Sequence, residues 1–316
     1  MKYNILIAGV GQLGSRYLQG LFKTEFEVEI WAYDISKESL DRAKVRFNEI
    51  GTSLNKVHYI SSLEVINENI DIAIITSTAD VRVEIVNEIL SQIVVKYWIL
   101  EKVLTQSHAD LLKLNKLLIN SHGVWVNTPM YLWPLYIGIR EHYNTSSAPI
   151  IAKFIGFKGL ACNAIHYIDF ATRWNNSKII NFDISKLENK WIKSKRHNFY
   201  EINGQLSFKF SDNSELILIG NENSTDFKIE LQIDQEIWYI NESEGIANSS
   251  HNRIVKAPIL FQSQLTSNLI KDIIETAKCN LPTLTQSTKQ HSILLTALLE
   301  HWNKNMSKIT SNLPIT

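Results

Sequence analysis

Residues 5–14 of the chain read Ile-Leu-Ile-Ala-Gly-Val-Gly-Gln-Leu-Gly. The continuous apolar run Ile5–Ala8 is typical of a strand that is buried on both faces, as strands of parallel sheets are. Glycines with the spacing G-x-G-x-x-G follow the run, and the stretch Leu13–Phe22 then has the pattern of a helix. A buried strand, a glycine turn and a helix in this order predict the start of a doubly wound α/β domain.

Each glycine of this turn has a separate physical role. Gly9 permits the tight turn, Gly11 lets the backbone approach a pyrophosphate, and Gly14 lets the helix and the strand pack closely. The N-terminus of the helix then directs backbone N–H groups at phosphates. The pattern predicts a Rossmann dinucleotide-binding domain, with Gln12 and Leu13 of the same turn as further cofactor contacts.

An acidic residue follows at the distance that such a domain requires. Asp34 lies twenty residues after Gly14, at the end of the predicted strand Val28–Tyr33. A carboxylate there accepts hydrogen bonds from the ribose hydroxyls of NAD and repels the 2′-phosphate of NADP. Ser36 and Lys37 lie where a 2′-phosphate is held if Asp34 turns away. The sequence therefore predicts NAD, with NADP as the alternative.

The chain changes character after residue 127. Over residues 1–127, strand and helix patterns alternate, which predicts a parallel sheet covered by helices. Residues 128–316 are predicted to form an α+β domain for substrate binding and oligomerisation, with an open, mainly antiparallel sheet, because runs such as Leu206–Phe210 alternate in polarity. The last helix, from about Ser287 to Trp302, is a candidate to pack back on the first domain, and the polar tail from Asn303 is expected to be loose.

Composition excludes several classes of protein. Lys plus Arg and Asp plus Glu number 32 each in 316 residues, so no basic excess indicates nucleic-acid binding. Two cysteines in different contexts form neither a disulfide framework nor a zinc-ligand pair. No apolar stretch approaches the ~20 residues of a membrane span, and no signal peptide is recognisable. We expect a cytoplasmic protein without membrane or nucleic-acid partners, and a homodimer or homotetramer joined through the second sheet.

A Glu-Lys pair follows another buried strand. Glu101 and Lys102 come directly after the predicted strand Val94–Leu100, and ligands of open α/β sheets bind beyond the carboxyl ends of the strands. Lys102 can hold a substrate hydroxyl and lower its pKa, or assist the movement of a proton. A solvated charge pair without a role is the alternative.

A second candidate group lies on the predicted helix near 164–174. Cys162, His166 and Asp169 are spaced by four and three residues and therefore share one face, while Ile165 and Ile168 turn toward the core. A structural histidine is the alternative to a functional one. Thiolate, imidazole and carboxylate can all bind zinc, but one such trio is a weak signal, and no metal is predicted.

These motifs together resemble the Gfo/Idh/MocA oxidoreductases, mostly sugar and polyol dehydrogenases, over essentially the whole chain. The family's Glu-Lys-Pro motif corresponds to residues 101–103, where Val103 replaces the proline. Its Thr-Pro-Asn type loop corresponds more loosely to residues 76–80. Its catalytic histidine corresponds to His166, and the acid that precedes it by four residues is Cys162 here.

The resemblance implies an NAD(P)-dependent oxidoreductase that transfers a hydride between nicotinamide and a carbinol or carbonyl carbon of a sugar or sugar derivative. Lys102 would orient and polarise the reacting oxygen, and His166 would exchange its proton. Thr76, Ser77, Glu101 and Lys102 would join the cofactor site. The substrate candidates are Glu101, Asn127, Tyr131, Asn163 and Asp169.

The sequence leaves two finer points open, the substrate subgroup and the retention of catalysis. Residues 156–163 resemble a subgroup linked to surface-polysaccharide and sugar-modification pathways. The replacements at Cys162 and Val103 also allow a catalytically inactive protein of the same fold that binds a dinucleotide or a sugar for regulation. The paired presence of Lys102 and His166 argues against that alternative, because a binding module needs no proton relay.

Overall fold

A computed structural model describes residues 2–51, 55–143, 148–306 and 309–316. The chain divides into two compact units. Unit 1 comprises Met1–Thr105, Ala109–Asn127 and Leu260–Gln286, and unit 2 comprises Gln106–His108, Thr128–Ile259 and Ser287–Thr316.

The strands and helices follow in chain order. The strands are β1 (Tyr3–Ala8), β2 (Val28–Tyr33), β3 (Lys56–Ile60), β4 (Ile70–Ile75), β5 (Val95–Leu100), β6 (Gly123–Val126), β7 (Ile150–Phe157), β8 (Ile179–Lys193), β9 (Tyr200–Phe210), β10 (Glu215–Gly220), β11 (Lys228–Ile233), β12 (Glu236–Asn241), β13 (Ile246–Ser249) and β14 (Ile254–Lys256). The helices are α1 (Gly14–Leu21), α2 (Lys37–Asn48), α3 (Arg82–Gln92), α4 (His108–Leu117), α5 (Pro134–Glu141), α6 (Leu160–Trp174), α7 (Gln262–Thr276) and α8 (Leu284–Asn305).

Unit 1 contains a six-stranded parallel sheet with the order β3-β2-β1-β4-β5-β6. Residues Ile5–Ala8 have no exposed surface, as the apolar run predicted. The strand order reverses between β1 and β4, and the carboxyl ends of strands at such a switch point are where ligands bind in open α/β sheets. The predicted Rossmann-type α/β domain is therefore confirmed as a fold.

The segment 260–286 belongs to unit 1, whereas the sequence analysis assigned it to the second domain. Helix α7 packs so closely on α1 that a Cβ at Gly20 would lie 2.5 Å from the Cβ of Thr266. The N–H of Val126 donates to the carbonyl of Pro282 at 2.9 Å. These contacts join residues that are far apart in sequence, so no local sequence pattern predicts them.

Unit 2 contains an eight-stranded sheet with the order β14-β13-β12-β11-β7-β10-β9-β8. Neighbouring strands are antiparallel except for β7 and β10, which confirms the prediction of an open, mainly antiparallel sheet. Helix α6 packs against β7, β9 and β10. Ile165 and Ile168 have no exposed surface, as their positions on the helix predicted.

The prediction of a loose tail is wrong for the last residues. Helix α8 ends at Asn305, and beyond it Leu313 and Ile315 are fully buried. The N–H of Leu313 donates to the carbonyl of Gln106 at 2.8 Å, and the amide of Gln106 donates to the carbonyl of Ile315 at 2.9 Å. Burial of each of these two large apolar side chains contributes about 1.5–3 kcal/mol. This gain outweighs the tendency of the polar segment to remain solvated.

Candidate active site

The glycine turn after β1 leaves open space at one glycine and none at the other two. Gly9 has a φ of +94°, and a Cβ there would lie 2.9 Å from the backbone nitrogen of Ser77. A Cβ at Gly14 would lie 2.0 Å from the carbonyl oxygen of Gly9. At Gly11 a Cβ would meet nothing within 4 Å. The turn therefore has the clearance at Gly11 that the approach of a pyrophosphate requires.

The loop after β4 adjoins this turn. The hydroxyl of Thr76 donates to the carbonyl oxygens of Ala8, at 3.2 Å, and of Gly9. The hydroxyl oxygen of Ser77 is buried and has no hydrogen-bond partner among the residues that the structure describes. A buried polar atom beside the turn suits a bound ligand, because burial without a hydrogen bond is otherwise costly. Both observations agree with a dinucleotide at this edge of the sheet.

Arg46 on α2 is a residue of this region that the sequence analysis missed. Its Nη2 donates to Oε1 of Gln12 at 2.7 Å, and its Nη1 donates to the hydroxyl of Ser15 at 2.7 Å. A guanidinium beside the turn adds positive potential to that of the α1 N-terminus. No motif surrounds Arg46, so only the packing of α2 on α1 reveals its position.

The Asp34 carboxylate lies at the carboxyl end of β2. Its Oδ1 accepts a hydrogen bond from the backbone N–H of Ser36 at 2.9 Å. The hydroxyl of Ser36 in turn accepts from the N–H of Ser39 at 3.3 Å and caps α2. The carboxyl group that the sequence predicted to contact the ribose therefore also holds the turn into α2.

Glu101 is the centre of a buried polar network in unit 1. Its Oε1 accepts hydrogen bonds from the hydroxyl of Tyr17 and from Nδ2 of Asn127, both at 2.6 Å. Nδ2 of Asn127 also donates to Oε1 of Gln262 at 2.7 Å. Oδ1 of Asn127 is buried without a partner in the described part of the chain. Glu101 thus connects α1, β5 and β6 through hydrogen bonds. The sequence predicted that Glu101 contacts a ligand, and it did not predict this positioning role.

The loop that follows Lys102 is held by a buried arginine. Arg82 at the start of α3 is 1% exposed, and its guanidinium donates to the carbonyl oxygens of Val103 and Ser77, and of Leu104 at 3.0 Å. The peptide bond between Lys102 and Val103 is cis. Lys102 itself is half-buried. Arg82 could not be singled out from the sequence, because its acceptors are backbone carbonyls, which leave no sequence signature.

In unit 2, a glutamate caps the helix that carries His166. Gly159 precedes α6 with a φ of +74°. Oε2 of Glu201 accepts from the N–H groups of Ala161, at 2.8 Å, and of Cys162, at 3.4 Å. Burial raises the pKa of Glu201, and hydrogen bonds from Cys162 and Ala161 oppose that rise. A carboxylate therefore lies at this helix end although residue 162 is not acidic.

Along α6 the predicted residues differ in exposure. His166 is half-buried, and the Nδ2 group of Asn163 donates to the carbonyl of Lys158 at 3.1 Å. Asp169 has no exposed surface; its Oδ1 accepts from Gln290 at 3.0 Å and its Oδ2 lies 3.8 Å from Arg173. Burial raises the pKa of Asp169 to about 6, although Arg173 and Gln290 lower it. Asp169 is thus engaged within unit 2.

Tyr131 lies in a short 3₁₀ turn, Pro129–Leu132, between two arginines. The guanidinium carbon of Arg140 is 3.5 Å from the centre of its ring, and that of Arg173 is 4.2 Å away. Neither arginine was singled out in the sequence, where no spacing connects them to Tyr131.

The predicted residues therefore fall into two groups. Unit 1 brings the glycine turn together with Thr76 and Ser77, and Glu101 together with Asn127. In unit 2, Asp169 and Tyr131 both adjoin Arg173. Lys102 belongs to unit 1, and His166 and Asn163 belong to unit 2.

Across the described ranges, no three His, Cys, Asp or Glu side chains are grouped so that they could hold a metal ion. No helix within those ranges is both long enough and apolar enough to cross a membrane.

Solved structures of known proteins resemble this chain over nearly its full length. An oxidoreductase from Agrobacterium radiobacter, in complex with NAD+, L-tartaric acid and magnesium, aligns with a TM-score of 0.74 and 10% identity, over 96% of this chain and 97% of that one. The UDP-N-acetylglucosamine 3-dehydrogenase of Acidithiobacillus ferrooxidans aligns with a TM-score of 0.68 and 11% identity, over 94% and 96%. This chain has their fold.

A third solved structure of similar fold contains NADP+ and a different ligand, biliverdin. Biliverdin reductase from Synechocystis, in complex with biliverdin and NADP+, aligns with a TM-score of 0.70 and 12% identity, over 93% of this chain and 98% of that one. No family model matches the sequence, and no curated protein matches it. At these identities the structural likeness establishes the fold, and it does not by itself establish the activity.

Proposed function

We propose that this protein is an NAD(P)-dependent oxidoreductase that acts on a carbinol or carbonyl carbon of a sugar or sugar derivative. The observation that carries the proposal is the glycine turn at the switch point between β1 and β4, with its clearance at Gly11. Structures of the same fold contain NAD+ or NADP+. When bound, NAD(P) supplies the hydride donor or acceptor.

The residues of unit 1 suit that cofactor. The N-terminus of α1 and the backbone at Gly11 would receive the pyrophosphate, and the buried hydroxyl of Ser77 would gain a hydrogen-bond partner. Asp34 would accept hydrogen bonds from the ribose hydroxyls, so that NAD is preferred over NADP. Arg46 would hold Gln12 and Ser15 in place beside the phosphates.

Lys102 and His166 would perform the acid–base chemistry. The ammonium group of Lys102 would donate a hydrogen bond to the reacting oxygen and stabilise its negative charge. His166 would accept the proton of a substrate hydroxyl, or return it to a carbonyl oxygen in the opposite direction. Tyr131, Asn127 and Asn163 are polar side chains suited to sugar hydroxyls. The resemblance of residues 156–163 favours a sugar of a surface-polysaccharide pathway.

A turnover assay of the full chain with NADH, NADPH and a panel of oxidised and reduced sugars tests the proposal. We expect Lys102→Met and His166→Ala each to lower turnover by on the order of 10²-fold, with cofactor affinity nearly unchanged. The matched controls are Lys96→Met and His197→Ala, because both side chains are exposed. If His166→Ala alone keeps normal turnover, the proton relay belongs to Lys102 or Tyr131. Cofactor binding without turnover on any sugar would instead support a regulatory binding protein.

We also propose that the protein is a cytoplasmic homodimer or homotetramer. The sheet of unit 2 alternates buried and half-buried residues along β10 and β11, and closed symmetric assemblies commonly cover such a face. Two cysteines in 316 residues suit a reducing compartment. A monomer by light scattering at micromolar concentration would contradict the assembly.

A further inference from the structure

Three residues of unit 2 form what we call the Tyr131 cluster: Tyr131, Arg140 on α5 and Arg173 at the end of α6. Both guanidinium groups lie over the ring of Tyr131, with their central carbons 3.5 and 4.2 Å from its centre. An aromatic face attracts a guanidinium and leaves its in-plane N–H groups directed outward from the ring. The cluster therefore concentrates hydrogen-bond donors and positive charge at one place.

Glu141, the next residue in the chain, favours the charged form of Arg140 but does not form an ion pair with it. Arg140 forms no ion pair with any residue that the structure describes, and its Nη1 is buried without a hydrogen-bond acceptor there. Burial lowers the pKa of Arg140, and the charge of Arg173 lowers it further. Asp169, which approaches Arg173, also accepts a hydrogen bond from Gln290. A buried donor beside a second cation calls for an anion.

The cluster is also connected to the proposed proton-transfer residue. Arg173 follows His166 by seven residues on α6, so the two lie on the same face of the helix. Their backbone positions are about two turns, or roughly 10 Å, apart along the axis. A ligand that contacts both His166 and the Tyr131 cluster would place its reacting carbon near His166. Its negatively charged group would then lie toward the C-terminal end of α6.

We propose that the Tyr131 cluster binds the oxyanion, carboxylate or phosphate, of an anionic sugar derivative. Arg140 and Arg173 donate to the oxyanion, for which planar guanidinium groups are suited because they form paired hydrogen bonds. The ring of Trp174, 5.9 Å from the guanidinium carbon of Arg140, adds an apolar face near the same place. The sugar part of this ligand rests on the proposed function. The anion site itself lies wholly within unit 2.

Calorimetric titration of the full chain tests the site with four probes: D-glucose, D-glucose 6-phosphate, D-glucuronate and inorganic phosphate. We expect at least one charged sugar to bind ten or more times more tightly than D-glucose. The sugar phosphate and the sugar acid distinguish phosphate from carboxylate, and inorganic phosphate should compete with the tighter one. Arg140→Gln and Arg173→Gln should each weaken that binding about tenfold or more.

The matched control is Arg196→Gln, an exposed arginine in a turn of unit 2, which should leave the affinity unchanged. If Arg140→Gln does not fold, Arg140→Lys keeps the charge without the planar fork and should still weaken binding. Equal affinity for D-glucose and both charged sugars, or undiminished anion binding by the folded arginine variants, overturns the site. A parallel NADH titration separates the two proposals: failure of NADH to bind refutes the oxidoreductase, whatever the anions do.

Discussion

The hydroxyl of Tyr17 donates a hydrogen bond of 2.6 Å to the carboxylate of Glu101. Tyr17 lies on α1, just after the glycine turn, and Glu101 directly precedes Lys102 at the end of β5. The contact connects the helix that follows the glycine turn to the segment that follows β5, two parts of the chain that carry separate sequence motifs. Burial raises the pKa of Tyr17 well above its usual value, and the charge of Glu101 adds to the effect, so the phenol remains a donor.

Removal of this hydroxyl should destabilise the protein. Tyr17→Phe leaves a buried carboxylate with one donor fewer, and we expect a loss of about 1–3 kcal/mol in the free energy of unfolding, measured in urea. Tyr59→Phe is the matched control, because the Tyr59 hydroxyl is buried and has no hydrogen-bond partner in the described ranges. Equal losses in the two variants would show that the Glu101 contact contributes nothing specific.

Substitutions at two glycines of the turn should affect cofactor binding and folding differently. Gly11→Val should abolish dinucleotide binding in a folded protein, because the new side chain occupies open space where the pyrophosphate would lie. Gly14→Val should instead prevent folding, because its Cβ would lie 2.0 Å from the Gly9 carbonyl oxygen. Circular dichroism and NADH fluorescence measure the two properties. Unchanged NADH affinity in folded Gly11→Val would refute the placement of the cofactor.

Cofactor choice should depend on Asp34. We expect the wild-type protein to bind NADH more tightly than NADPH in a fluorescence titration, because the carboxylate repels a 2′-phosphate. Asp34→Asn should narrow that preference, since it removes the charge and keeps the shape. The control Asp80→Asn changes an exposed acid of the loop after β4. Tighter binding of NADPH by the wild type would point to Ser36 and Lys37 as the determinants.

Stability should fall as Asp169 ionises. Its pKa is about 6 in the folded protein against 3.8 for an ordinary aspartate, so the native state holds the proton over a range in which the unfolded chain has lost it. Stability therefore decreases as pH rises from about 4 through 6, by up to about 3 kcal/mol. Asp169→Asn should be more stable than wild type at pH 8, and the gain should vanish near pH 4.

Chemical unfolding of both proteins at pH 4, 6 and 8 measures that effect. Asp183→Asn is the control, because a hydrogen bond from the backbone of Ser185 lowers the pKa of Asp183, and its replacement should give no gain at pH 8. A lower stability of Asp169→Asn at pH 8 would mean that the attraction of Arg173 outweighs the cost of burying the charge.

Local patterns in the sequence were sufficient for the α/β architecture. The apolar run Ile5–Ala8 and the spacing of Gly9, Gly11 and Gly14 specify a buried strand and a tight turn, because both depend on neighbouring residues. The alternation of polarity likewise predicted the second sheet. The helical spacing predicted that Ile165 and Ile168 face the core.

Tertiary structure decided the contacts that no spacing encodes. The return of residues 260–286 to unit 1, the partners of Glu101 and the arginines over Tyr131 all join segments that are distant in sequence. The contacts of Arg82 were equally unpredictable from the sequence, because its acceptors are backbone carbonyls, which every residue has. A sequence shows periodicity and side-chain chemistry, whereas the partners of a buried polar group are fixed only when packing brings distant segments together and excludes water from between them.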